Sequence, residues 1–434
     1  MNDRARHILL ICDRREDGAA AVREHIDQLI TQSRHFIRPL NVFGSLPRRL
    51  DLSRFDGLIL HYSVMADPVR LLSDAACARI AAFAGPKAVF VQDEHRNVRR
   101  RVDFLKRLNV SLLFTCVPEG EITKVYPTDE FPTTRFINVL TGFTSNRLAE
   151  ISVLSFRDRP VDVGYRGREV PAWLGQLGQE KTEIARRFAS DVGRYGLRCD
   201  ISVAEHERIY GPSWITFLSR CKATLGTESG ASVFDPDGLV ERNVESHLRR
   251  DPNASFDTLR AAYFLHLDGK ISNGQVSPRI FEATALRTLM ILYPGHYSGV
   301  VSPWKHYVPL AKDHSNMDEV VEILRDSARA EAMILCAYNE VALNPEYGPA
   351  RLVARLDTAF DPELSGIPRA QAYTELEWQN LIRNDWLLRL KRAKRVARDA
   401  AARSVFRGIA RALSPRTVDL MKSRLKQVRS LRAR

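Results

Sequence analysis

Over its first 145 residues the chain alternates short apolar runs with amphipathic stretches, and this rhythm limits the possible folds more than any other feature. The runs are "HILLIC", "FIRPLNVF", "GLILHYS", "KAVFVQD" and "SLLFTCV". Between them lie "AAVREHIDQLI", "DAACARIAAFA" and "VRRRVDFLKRL", whose apolar residues recur at helical spacing. Continuous apolar strands separated by helices predict a parallel sheet covered on both faces, a doubly wound Rossmann-like lobe. Such sheets bind ligands at the carboxyl ends of their strands. Attention therefore falls on the polar residues at the end of each run: Asp13, His61 and the cluster Asp93, Glu94, His95.

The pattern restarts after the polar linker "RDRPVD". "VDVGYRGR", "LRCDIS", "KATLG", "TLMILYP" and "YVPL" supply strands, a long helix is expected from Glu180 to Tyr195, and residues 235–270 look like a charged, mostly helical insertion. The spacing predicts a first lobe over residues 1–156 and a second over 157–350. A long helix beginning near Met317 closes the second lobe, a helical return segment covers 351–383, and a basic tail covers 384–434. The expected fold class is α/β: two Rossmann-like doubly wound lobes facing a cleft. At 434 residues the chain has room for two cores and more.

The net charge of +13 would suggest a nucleic-acid binder if it were spread evenly. It is not spread: residues 384–434 hold 16 Lys and Arg against three Asp, leaving 49 basic and 49 acidic groups in residues 1–383. Within the tail, Trp386, Leu390, Ala393, Ala397 and Ala401 form a thin apolar stripe among arginines. That pattern suits an anionic lipid surface or a solvated tail. Specific nucleic-acid binding is not expected, because no aromatic stacking platform accompanies the charge. No apolar run reaches membrane-spanning length, and the apolar stretch near the start is too short for a secretory signal, so a cytoplasmic protein, peripheral at most, is expected. The six scattered cysteines show no metal-ligand spacing; they read as reduced core residues, and no metal is expected.

"VSPRIFEATALRT", residues 276–288, sets one carboxylate, Glu282, in an apolar segment. Ser277 is placed to cap a helix and Pro278 to open it, so Glu282 suits a helix start by its charge alone. The same start offers N–H groups and Arg279 to an anion, leaving Glu282 to accept hydrogen bonds from a ribose diol. The segment continues into "LMILYPGHYSGVVSPWKHYVPLAKDHSNMDEVVEILRD". Over residues 270–330 it resembles the nucleotide-sugar half of GT-B glycosyltransferases, of the group 1 and CgeB-like kind.

That resemblance implies that Glu282 holds the donor ribose and that the turn Tyr297, Ser298, Gly299 approaches the diphosphate. In "VGYRGREVPAWLGQLGQEKTEIARRF", Arg166 or Arg168 together with Lys181 would neutralise the two phosphates. Two positions depart from the pattern. Retaining members carry a second Glu eight residues before the ribose-binding one, where this chain has Gly274, and Arg287 stands where a small residue precedes Thr288. The stereochemistry of transfer stays open.

"ATLGTESGASVFDPDG" brings Glu228, Ser229 and Gly230 to a strand end, where a Ser-Gly turn presents amides to a phosphate. Its "DPD" imitates a metal-binding motif of a different, single-lobed fold and is set aside. Asp93, Glu94 or His95 could serve as general base on an acceptor hydroxyl, or cap a helix and pair with Arg96 and Arg99. His61 is either a weaker candidate or a structural residue. His296, Lys305 and His306 are expected close to the phosphates. No Ser/His/Asp spacing, Walker loop or G-x-G-x-x-G is present.

The function this implies is a glycosyltransferase using a nucleotide-diphosphate sugar, without metal or other cofactor, on a glycan or lipid-linked envelope acceptor. A sugar-nucleotide epimerase and a non-catalytic envelope-assembly protein are the alternatives.

Overall fold

The computed structural model describes residues 5–15, 19–42, 44–65 and 72–384, and the basic tail expected over 384–434 lies outside them apart from Asn384. The first sheet has six parallel strands in the order β2-β1-β3-β4-β5-β6, formed by His7–Cys12 (β1), Phe36–Asn41 (β2), Gly57–Leu60 (β3), Lys87–Phe90 (β4), Leu112–Thr115 (β5) and Arg135–Asn138 (β6). Strand β1 shows why it sits inside. Leu9 and Ile11 enter the core beneath the helices Asp74–Ala81 and Val98–Leu108, while Ile8, Leu10 and Cys12 enter a second core beneath Ala20–Gln32. With both faces covered, a strand reads as a continuous apolar run instead of an alternating one.

Strand β6 was not expected. Its pattern is exposed-to-intermediate throughout, as befits an edge, and "RFIN" carries no apolar run to announce it.

The second sheet has five parallel strands in the order β11-β10-β9-β7-β8, formed by Val161–Arg166 (β7), Cys199–Ser202 (β8), Cys221–Gly226 (β9), Leu289–Leu292 (β10) and Val308–Pro309 (β11). The helix expected from Glu180 begins earlier, at Gly175, and ends at Asp191 before a short 3-10 turn. The helix expected to run unbroken from Met317 stops at Arg325. Asp326 interrupts it by capping a second helix, Ser327–Ala337, with its carboxylate accepting from the amides of Ala328 and Arg329 at 3.1 Å.

After the second sheet the chain returns to the first. Val353, Leu356 and Phe360 of helix Pro349–Leu364 pack into the core shared with β1. Trp378 of helix Glu375–Asn384 joins the other core of that lobe, beside Arg54, whose guanidinium stacks on Tyr373 and pairs with Glu377 at 3.0 Å. Among the described residues, no helix is long and apolar enough to cross a membrane.

Candidate functional site

Helix Pro278–Ala285 starts as its sequence dictates: the Ser277 hydroxyl accepts from the Arg279 amide at 3.4 Å, and Pro278 fills the first turn. Ile280, Phe281 and Ala283 are buried, which turns Glu282 towards Trp214 and the seam between lobes. Glu282 Oε2 accepts from the Trp214 indole N–H at 2.8 Å, and its Oε1 has no hydrogen bond among the described residues. Burial pushes its carboxyl above the usual range, Trp214 and Arg279 draw it back, and Glu24 of the first lobe pushes it up again. Glu24 stands on helix Ala20–Gln32 of the first lobe. In sequence Glu24 reads as one more residue on a helix's wet face, and Trp214 as core.

Arg279 spreads its guanidinium over Trp214 at 4.9 Å and donates to the Arg166 carbonyl. Lys181 lies nearby, half-buried, its amine reaching the Gly230 carbonyl at 3.4 Å. Burial first, then Arg168 and Arg279, lower it to about 8, while Asp93 from the opposite lobe raises it. Arg168 is exposed and makes no side-chain hydrogen bond or ion pair among the described residues. Arg168, Lys181 and Arg279 thus form a cationic group, of which Arg279 acts on Glu282, while Asp93 of the opposite lobe acts on Lys181.

Several expectations need correction. Arg166 is not available to a phosphate: it pairs with Asp200 at 2.6 Å and stacks on Phe217 at 4.6 Å. Glu94 is buried, accepting from Thr115 and Tyr126 hydroxyls at 2.6 Å each and from the Cys116 amide at 2.9 Å. Those donors leave it nothing to do as a base. His61 is equally committed, bonded to His25 at 3.0 Å and to Ser63 at 2.9 Å, and burial holds it neutral. The amide of Asp13 donates to the same Ser63 hydroxyl at 2.9 Å.

The phosphate-side turns are also tied up. Glu228 Oε1 takes the amides of His296 and Tyr297 at 2.7 and 2.9 Å. The Ser298 hydroxyl accepts from Val276 at 3.1 Å, the Gly299 amide returns to His296, and the Ser229 amide pairs with Gln275. Tyr297 and Ser298 both sit in the left-handed region, at φ 49° and 53°, and Glu228 binds the amide of the first. A Cβ on Gly274 would stand 2.4 Å from Glu228 Oε1, and one on Gly295 would stand 2.6 Å from its carboxyl carbon. The Glu228 carboxylate thus fills the space beside Gly274 and Gly295, where any larger residue would meet it.

Lys305 and His306 are engaged elsewhere. Both bind Glu340, at 2.6 and 3.1 Å, and the ligand atoms of His306, Cys336 and Glu340 lie within 4.8 Å of one another. This group does not fit a cation. His306 Nδ1 accepts the Ser302 amide at 3.0 Å, so in the neutral ring Nε2 carries the proton and has no lone pair to give. His296 is exposed, and among the described residues its hydrogen bonds are made by its backbone.

Two candidates for the acceptor side remain. Asp93 is exposed and holds a left-handed backbone at φ 51°. His95 is buried between Trp173 and Phe234, and burial lowers it to about 4, so its imidazole is neutral at physiological pH.

The chain therefore forms two parallel-stranded α/β lobes, with Glu282 and Arg279 on the helix start of the second. No protein-family model matches the chain, and no curated protein matches it. Among solved structures it is similar to an alpha-glucosyltransferase in complex with UDP-glucose and DNA containing an abasic site, with a TM-score of 0.47, 11% identity, and coverage of 82% of this chain and 100% of that one. It is also similar to HepE from Anabaena in complex with UDP-glucose, with a TM-score of 0.46, 11% identity, and coverage of 83% and 100%. The corresponding values for TarM are 0.38, 10%, 70% and 54%.

Proposed function

We propose that this protein is a glycosyltransferase that moves a sugar from a nucleotide-diphosphate donor to a hydroxyl of a glycan or lipid-linked acceptor. The observation that carries the reading is Glu282, fixed at a capped helix start in the seam, with one oxygen held by Trp214 and the other open. Arg279 acts on it directly, and Arg168 and Lys181 are grouped with Arg279. A ribose diol on Glu282 would put the diphosphate among these cations, which stabilise the leaving group as the bond from the anomeric carbon to phosphate oxygen breaks. The acceptor oxygen takes that bond and gives up its proton. In an inverting reaction Asp93 or His95 is the base, each presented from the opposite lobe.

A thermal-shift screen against uridine, guanosine, adenosine and thymidine diphosphates tests the reading, because a ligand of the folded state raises its melting temperature. Turnover must then release free nucleoside diphosphate, whereas an epimerase would return an intact sugar nucleotide. Three cations in place of a bound metal predict that turnover persists in a chelator; complete loss in EDTA, restored by a divalent ion, would contradict this.

Lys181 gives the site a pH dependence. Its folded pKa is depressed to about 8, so below that pH it is a cation and above it is neutral. UDP affinity is expected to fall as pH rises past about 8, and Lys181→Met is expected to bind weakly with little of that decline. The sign for stability is opposite: the buried ammonium is a folding cost below pH 8, relieved between there and the ordinary lysine range. The Met variant should therefore melt no lower at neutral pH.

The tail's sixteen basic residues fit an anionic membrane that carries the acceptor, each worth on the order of 1 kcal/mol near such a surface. Full-length protein should co-sediment with phosphatidylglycerol vesicles and be released by salt; equal binding to neutral vesicles would remove the lipid role.

A further inference from the structure

We propose that the segment from Ala231 to Gln275 is a latch that fixes the spacing of the cleft before any donor arrives, with Arg96 and Asp235 acting as positioning residues for His95. The role given to His95 rests on the glycosyltransferase reading; the latch itself does not.

The segment follows β9, packs Val233, Val240, Val244, Leu259 and Phe264 with Ala172 and Trp173 of the second lobe, and reaches across to the first. The Asp235 amide donates to the His95 carbonyl at 2.8 Å, and the amides of Val98 and Arg99 donate to the carbonyls of Asp235 and Pro236 at 3.1 and 3.0 Å. These bonds make a short parallel bridge between lobes at the point where β4 gives way to helix Val98–Leu108. Side chains reinforce it. Arg96 grips Glu241 with a two-pronged contact at 2.6 and 3.1 Å and lies over Trp173 at 5.1 Å. Phe234 is buried in the core of the first lobe, not of its own. The crossing has little slack: Gly238 has φ 69°, and a Cβ there would stand 2.4 Å from Asn97 Oδ1.

A second tie lies at the far end of the segment. Ser272 donates to Glu121 at 3.1 Å, and the Gln275 amide group donates to the Cys116 carbonyl at 2.6 Å. Cys116 is the residue whose own amide binds Glu94. The buried Glu94, excluded as a base, thus anchors the strand end that the latch grips. Both ties flank His95, whose ring is packed against Trp173 and Phe234 of the second lobe. A histidine at the end of a first-lobe strand is in this way oriented by the lobe that holds the donor site.

Small-angle scattering on the full chain, with and without saturating UDP, reads the latch directly. The wild type should give the same radius of gyration in both states. Arg96→Ala and Gly238→Ala should be larger without ligand and contract when UDP is added. They should keep UDP affinity within about twofold while turnover falls on the order of tenfold to a hundredfold, the cost of misplacing a reacting group. Restoring the contact with Arg96→Lys should recover part of that turnover. Native-state hydrogen exchange on the wild type needs no variant: the amides of Val98, Arg99 and Asp235 should be protected like core strands. A wild type that contracts on binding UDP, variants with unaltered scattering, or rapid exchange at those three amides would overturn the latch. If no nucleotide binds the wild type, the donor reading fails while the ligand-free scattering and the exchange still decide the latch.

Discussion

Glu282→Gln is expected to weaken UDP binding by about 1.5–3 kcal/mol, roughly ten- to 150-fold, with no loss of fold. The amide keeps the shape and retains one oxygen for the Trp214 indole, which now holds Oε2 at 2.8 Å. It loses the charge-assisted acceptor that a ribose diol needs. Because burial already raises the free carboxyl, removing its charge relieves a desolvation cost, so the variant should be at least as stable as the parent. Titration calorimetry with UDP, beside a urea melt, separates the two quantities. Unchanged affinity in a folded variant would place the nucleotide elsewhere.

Glu228→Ala should act on stability as well as binding. Its Oε1 receives the amides of His296 and Tyr297, at 2.7 and 2.9 Å, at the entrance to the left-handed pair Tyr297 and Ser298. Losing both charge-assisted bonds is expected to cost about 2–4 kcal/mol, less than twice a single such bond because they share one acceptor. The loss should spread to helix Pro278–Ala285, since the Ser298 hydroxyl holds Val276 two residues before its start. Gly274→Ala offers an independent check: a Cβ 2.4 Å from the Glu228 oxygen must expel the carboxylate, so both variants should show the same lowered urea midpoint and weakened UDP binding. A normal midpoint in Gly274→Ala would mean that Glu228 does not hold the turn.

Sequence periodicity located the strands whose two faces are both buried, because double burial makes a run of apolar residues that only a covered parallel sheet explains. It missed β6, an edge strand with no buried residue, and the break at Asp326, where a cap outcompetes a continuing apolar stripe. Within the site, local signals worked where the cause is local. Ser277 and Pro278 announce a helix start, and Glu282 takes its place from that start.

Roles set by distant partners were not legible. Glu94, Arg166 and His61 all sit at strand ends, as ligand-binding residues do, yet Tyr126, Asp200 and His25 claim them from elsewhere in the chain. Glu228 and Gly274 are far apart in sequence and nearly superposed in space. Glu24 and Trp214 had no pattern to distinguish them from an ordinary helix surface and an ordinary core.

A crystal structure of the protein soaked with UDP tests the central claim most directly. The ribose hydroxyls should lie within hydrogen-bond distance of the Glu282 carboxylate, with the diphosphate against Arg168 and Lys181. A nucleotide bound outside the seam, or a Glu282 carboxylate still touching only Trp214 while the ribose is held by other residues, would contradict it.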